Sequence, residues 1–193
     1  MAKIIMLDKT SPEIQYLCNK DKPLAKVIDM IGPLTYQVHD EEPYGFLIHE
    51  IIEQMLSVKA GAKIYQRLQE LCGGNITPSA IAALSDEQIK STGTSNAKVA
   101  YIRGITMAVT SGQLNLKQLE KLDDCQVVKQ LTAFRGIGNW TAKIYLIFVL
   151  NRLDILPYED VAFLQAYSWV YKTSDFPRQL FLPNARSGSR ILL

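Results

Sequence analysis

Long hydrophobic runs are missing from this 193-residue chain. No window approaches the roughly 20 consecutive apolar residues that a membrane-spanning helix requires, so no membrane partner is expected. The first ten residues, MAKIIMLDKT, are too short and too quickly charged for a signal peptide. Cysteine is scarce: Cys18, Cys72 and Cys125 are scattered, odd in number and form no CxxC pair. They read as reduced thiols of an intracellular protein rather than as a disulfide framework or a zinc site. Histidine is scarcer still. His39 and His49 stand ten residues apart with no cysteine or acidic ligand pattern beside them, which argues against a metal centre or a catalytic triad. No stretch alternates convincingly between apolar and polar residues, so strands are not expected.

Almost half the residues, 48%, are apolar, as in soluble globular proteins. The length allows one compact two-lobed body with a real core. Charge of one sign is also lacking overall, since the net value is only +2, but the distribution is uneven. Up to Glu87 the chain carries 8 basic and 12 acidic residues; from Gln88 to Leu153 it carries 9 and 3. Between Cys125 and Leu153 there are four cations (Lys129, Arg135, Lys143, Arg152) and no acid. Such a segment attracts a polyanion, although long basic side chains also simply solvate helix ends.

Helix signals run through the sequence. Ser11-Pro12-Glu13 marks a capped start, and Asp21 can cap a helix that stops at Gly32-Pro33. Thr77-Pro78 and the box Ser85 to Gln88 start two short helices, and Ser95 starts another running to about Ser111. A helix from about Gly45 to Ser57 has a core face in Phe46, Leu47, Ile48, Ile51, Ile52 and Leu56. Thr35 to Pro43 reads as a loop. We expect four regions: 1–40, an N-terminal helical segment packing with the C-terminal lobe; 41–125, a central helical lobe; 126–176, a helical hairpin and the carboxylate that follows it; and 177–193, an irregular tail.

The most informative stretch is Leu131 to Asp160, LTAFRGIGNWTAKIYLIFVLNRLDILPYED. A helix begun at Asp123 or Asp124 ends here, turns through Gly136-Ile137-Gly138, and gives way to a second helix beginning near Asn139. That helix is apolar nearly all round and belongs in a core. Glycine can take positive φ and lets backbone approach another surface closely. The free N–H groups at the start of the next helix then suit an anion such as phosphate; the plainer reading is a tight turn between helices. From Trp140 to Asn151 the chain runs roughly 18 Å. Residues 152–159 can span roughly 26 Å if extended, long enough to return Asp160 to the turn that holds Trp140.

The pattern L-x-x-x-x-GIGxWTAxxxL, followed by Pro157 and Asp160, resembles the helix-hairpin-helix DNA glycosylase superfamily. Within it the chain is most similar to the 3-methyladenine DNA glycosylase II branch. The run HEIIEQMLSVKAGAKIYQRLQELCGGNITP resembles that branch's II-x-QQ-x-S-x-x-A helix, and the likeness covers about residues 21–170. It implies an all-α, two-lobed helix-hairpin-helix glycosylase-like fold. It implies a monofunctional enzyme of DNA base excision repair, without a cofactor, acting as a monomer on double-stranded DNA that carries alkylated bases. Such an enzyme works in the bacterial cytoplasm with the nucleoid, or in a nucleus. The three cysteines cannot supply the four-cysteine iron–sulfur cluster of some relatives.

The resemblance also assigns roles. A base inside a duplex must be rotated into a pocket before it can be attacked. Trp140 would stack on it and add cation–π attraction to a purine made cationic by alkylation, such as 3-methyladenine or 7-methylguanine. Asp160 would stabilise the oxocarbenium-like sugar and orient water; as a plain structural residue it would cap the helix VAFLQAYSWVY. Glu159 and Asp154 are its nearest competitors. Gly136, Ile137, Gly138, Thr141 and Lys143 would grip DNA. Gln54 and Met55, at the end of their helix, would wedge into the gap left by the base, although Met55 equally suits core packing. Tyr44 and Phe46 read as core before pocket. Relatives that cut the strand through a Schiff base use a lysine where this chain has Trp140. Lys143 is one turn further on, so simple hydrolysis is implied.

One departure stands out. Where relatives continue through a helix containing Trp-x-Pro, this chain reads FPRQLFLPNARSGSRILL, which suggests a shortened or altered C-terminus. Three other readings stay open: a DNA-binding or damage-sensing module without turnover, a glycosylase for a neutral base such as adenine or 8-oxoguanine, and a helical scaffold.

Overall fold

Local chemistry at the helix starts sets most of the architecture. In the computed structural model, which describes residues 4–37 and 42–173, most of these starts are closed by a short polar side chain; those at Pro12, Pro43 and Asn139 are not. Asp21 accepts from the Leu24 N–H at the head of α2 (Lys22–Ile31), which follows α1 (Pro12–Lys20). Ser57 caps α4 (Val58–Leu71), which follows α3 (Pro43–Glu53). Thr77 caps α5 (Pro78–Ala83), and Ser85 with Gln88 forms a reciprocal capping box at α6 (Asp86–Ser91). Ser95 caps α7 (Asn96–Thr110) and Asn115 caps α8 (Leu116–Leu119). A second capping box, Asp123 with Gln126, starts α9 (Asp124–Thr132). α10 (Asn139–Phe148) begins at Gly138, and α11 (Val161–Tyr171) begins at Asp160. Each such cap satisfies one orphan N–H and contributes on the order of 1 kcal/mol.

The fold is mostly helical. The exception corrects the expectation of no strands: β1 (Ile4–Leu7) pairs antiparallel with β2 (Leu34–Gln37), Ile5 opposite Tyr36 and Leu7 opposite Leu34. Four residues are too few to show a period in the sequence, and their partner lies beyond two helices. β2 also takes the first part of the segment expected as a loop from Thr35. The expected irregular tail at 177–193, the altered C-terminus and His39 lie outside the described residues.

The described residues fall into two units: the chain from His39 to Arg152, and the two chain ends, up to Val38 and from Leu153 onward. In the first unit α3 is the central element. Tyr44, Phe46, Leu47, Ile48, Ile51 and Ile52 are buried on it, against α4, α7 and α10. Tyr44 and Phe46 are therefore core: the Tyr44 hydroxyl lies 2.7 Å from Thr106 Oγ1, and Phe46 meets Tyr145 edge to face at 6.0 Å. His49 is structural as well, with Nε2 3.3 Å from Glu53 Oε1 and its ring 4.3 Å from that of Tyr65. α10 buries Thr141, Ala142, Tyr145 and Leu146, one stripe rather than its whole circumference. In the unit of the chain ends α2 packs on α11, and the Tyr171 hydroxyl donates to Asp21 Oδ2 at 2.5 Å.

Candidate active site and nucleic-acid interface

The two hairpin glycines serve different purposes. Gly136 has φ +92, in the region L side chains avoid, and a β-carbon there would lie 2.6 Å from Cγ of Tyr101 on α7. Its identity is dictated by the protein's own packing. Gly138 has an ordinary φ of −93, and a β-carbon there would meet nothing within 4 Å. The space over the start of α10 is open. The first intrahelical bond is made by Ala142 N to Gly138 O at 3.0 Å. The N–H groups of Asn139, Trp140 and Thr141 precede that bond and point out of the helix end, where the macrodipole favours an anion.

Two of the residues expected at the interface have buried side chains. Ile137 and Thr141 turn inward, 5% and 3% exposed, and the Ile137 N–H is used in the turn, donating to Phe134 O. Both side chains pin the hairpin to the core. The exposed members of the hairpin are Arg135, Gly138 and Asn139, with Trp140 and Lys143 half-buried. Arg152 also departs from its grouping with the free cations. Its guanidinium donates to Glu120 O and Leu122 O at 3.0 and 3.1 Å and lies 3.7 Å from Asp124 Oδ1. Lys129 and Arg135 remain exposed.

The α3 helix ends sooner than expected, with Gln54 as its C-cap. The two residues named as wedges then separate. Gln54 Nε2 donates to Gly136 O at 2.7 Å, tying the end of α3 to the hairpin. Met55 is 100% exposed with φ +58, which excludes core packing. A non-glycine residue in left-handed backbone costs about 1–2 kcal/mol and persists only where its surroundings enforce it. Sequence reasoning missed the residues that do so. Lys98 Nζ, from α7, donates to Ile52 O at 2.7 Å and Gln54 O at 2.5 Å. Nothing near Lys98 in sequence points to acceptors more than forty residues away.

Asp160 is half-buried, and its Oδ1 accepts from Phe163 N at 2.8 Å. The capping bond fixes the carboxylate's direction. The preceding segment, expected to be extended, ends in a turn: Tyr158 N donates to Leu156 O at 3.0 Å, and Asp160 N to Pro157 O at 2.8 Å. Of the competitors, Asp154 is exposed and Glu159 sits half-buried in that turn. Among the described residues no group of three or more His, Cys, Asp or Glu side chains is placed to hold a metal ion.

A helical unit that ends in a glycine hairpin with an open helix start, beside a solvent-exposed apolar turn, has the parts of a nucleic-acid reader. Residues 48–181 match the family model described as HhH-GPD superfamily base excision DNA repair protein, and the chain belongs to that superfamily. It is 28% identical over 183 residues to DNA-3-methyladenine glycosylase 1 of Schizosaccharomyces pombe, covering 92% of this chain and 80% of that one. A DNA-3-methyladenine glycosidase from Bacillus halodurans superposes with a TM-score of 0.80 at 34% identity, over 86% of this chain and 77% of that one. The S. pombe 3-methyladenine DNA glycosylase Mag1, solved in complex with abasic DNA, superposes with a TM-score of 0.77 at 27% identity, over 89% and 85% of the two chains.

Proposed function

We propose that this protein is a DNA repair glycosylase that extracts an alkylated purine from duplex DNA and hydrolyses its N-glycosidic bond. The observation that carries this reading is the likeness, across 89% of the chain, to an enzyme solved on abasic DNA, which is what remains after a base is released. The names of the relatives support 3-methyladenine-type substrates.

In this reading the protein acts as a monomer. The hairpin amides around Gly138 and the exposed Arg135 hold the phosphate backbone, and Met55 enters the stack where the base leaves. The half-buried indole of Trp140 offers the extracted base a flat face, and a cationic purine gains cation–π attraction to it. The C1′–N bond then breaks with its electron pair going to the purine, which neutralises the alkylated ring and needs little acid assistance. Asp160 stabilises the positive charge that develops on the sugar. Water adds to C1′ and its proton passes to the carboxylate or to solvent. Trp140 stands where a Schiff-base mechanism needs an amine, so the product strand carries an abasic site and no nick.

The test is to incubate the protein with methylated duplex DNA and separate free bases from the polymer. Release of 3-methyladenine or 7-methylguanine, with strands that break only after alkali treatment, is the expected result. Salt-dependent binding without release identifies a DNA-binding module instead. Release only from neutral lesions removes the alkylpurine assignment.

A further inference from the structure

The exposed Met55 sits in a conformation that its own contacts do not explain. Its side chain is fully solvated, so no packing compensates its left-handed backbone. What fixes the turn lies on either side of it. The chain passes from α3 to α4 in four residues, closed by Leu56 N donating to Glu53 O at 3.1 Å and by the Ser57 cap on Ala60 N. The last carbonyls of α3 carry the negative end of the helix dipole. Two of them, Ile52 O and Gln54 O, converge on the Lys98 ammonium.

Lys98 and Tyr101 are three apart on α7 and so share a face. Lys98 holds the turn before Met55, while Tyr101 packs against the bare backbone of Gly136. Gln54 closes the triangle by donating to Gly136 O. The apolar turn and the hairpin are therefore fastened to one helix as well as to each other.

We propose that Lys98 is a positioning residue for base extraction: through the Ile52 and Gln54 carbonyls it sets the turn that presents Met55 and holds that turn in register with the hairpin. The inference rests on the reading of the protein as a glycosylase with Met55 as its wedge. The physical need is alignment. The hairpin grips backbone while the wedge enters the stack, and a misplacement of about 1 Å can cost up to 10²-fold in rate. Partial burial of the ammonium pulls its pKa below the usual lysine value, and the two carbonyls are the compensation the charge receives. Methionine at position 98 keeps the stem and removes the charge and the donors.

The experiment compares single-turnover release of one alkylated base from a fully paired duplex with release from a short internal bubble, where nothing has to be displaced. Lys98→Met lowers the duplex rate roughly ten-fold further than the bubble rate. The double variant with Met55→Ala is no slower on duplex than Met55→Ala alone, because Lys98 acts through that side chain. Equal losses on duplex and bubble, or additive losses in the double variant, overturn the proposal and make Lys98 a stability residue only. A wild-type protein that releases base from neither substrate overturns the glycosylase reading and this inference with it. Thermal melts accompany each variant. Should Lys98→Met not fold, Lys98→Gln replaces the ammonium with a shorter neutral donor facing the same carbonyls, and the same ratio decides.

Discussion

Gly136 and Tyr101 are packed so closely that a β-carbon on the glycine would overlap the first atoms of the tyrosine side chain, 2.6 Å from Cγ and 2.7 Å from Cβ. Gly136→Ala therefore meets two penalties, the left-handed φ at about 1–2 kcal/mol and overpacking at about 1–3 kcal/mol. Denaturant midpoints should fall accordingly. Gly138→Ala has open space and an ordinary φ, so its stability cost stays below about 1 kcal/mol. Its methyl group stands over the helix start, and DNA affinity measured by anisotropy should drop while the melting curve barely moves.

Asp160 is both a cap and the proposed catalytic carboxylate, and two substitutions separate those roles. Asparagine caps as well as aspartate, so Asp160→Asn should melt like the wild type and still bind damaged DNA. Its base release should fall at least about 100-fold, the scale set by loss of one transition-state electrostatic partner. Asp160→Ala should lose release to the same degree and, in addition, about 1 kcal/mol of stability. Wild-type turnover by the asparagine variant would remove Asp160 from the chemistry.

The cations near the hairpin divide by what already holds them. Arg135 is exposed, whereas Arg152 is bound to two backbone carbonyls. Each phosphate contact contributes about 0.9 to the slope of log affinity against log salt. Arg135→Met should reduce that slope by about one. Arg152→Met should leave it unchanged and instead lower the melting temperature, since it strands the Glu120 and Leu122 carbonyls.

Three tyrosines predict the alkaline limit. Burial raises the hydroxyl pKa of Tyr44, Tyr145 and Tyr171 above the usual value; for Tyr171, donation to Asp21 adds to the rise. A raised native pKa means the folded state holds the proton more tightly than the unfolded chain does. The stability this gives is complete below the unfolded value of about 10 and is lost as pH climbs through the higher native values. Tyrosinate absorbance should lag in the native protein above about pH 10, with stability falling over the same range. Tyr171→Phe should make that fall shallower.

How much of this was legible in the sequence follows the range of the interactions. The caps at Asp21, Ser85 and Asp123 act over three residues, so their signatures sit in plain view, as do the glycines and tryptophan of the hairpin. Pairing of Ile4–Leu7 with Leu34–Gln37 was not legible, because each strand is too short to show a period and its partner is remote. Ile137 and Thr141 belong to the hairpin motif, yet motif membership does not say which way a side chain faces. Packing against the core decided that, and it turned both inward. Lys98 had no signature at all: a lysine in a helix looks the same in sequence whether it is solvated or holding another helix's last carbonyls.

The conformation at Met55 has a bearing on protein engineering. Asparagine or glycine tolerates left-handed backbone far better than methionine, and either would remove a fully solvated hydrophobe. A library selected for heat resistance should therefore be drawn to position 55 early, as such searches readily find gains that cost activity. With Met55 as the proposed wedge, the winners would melt later and repair less, so thermostabilising this enzyme calls for holding that codon fixed while the rest of the surface is varied.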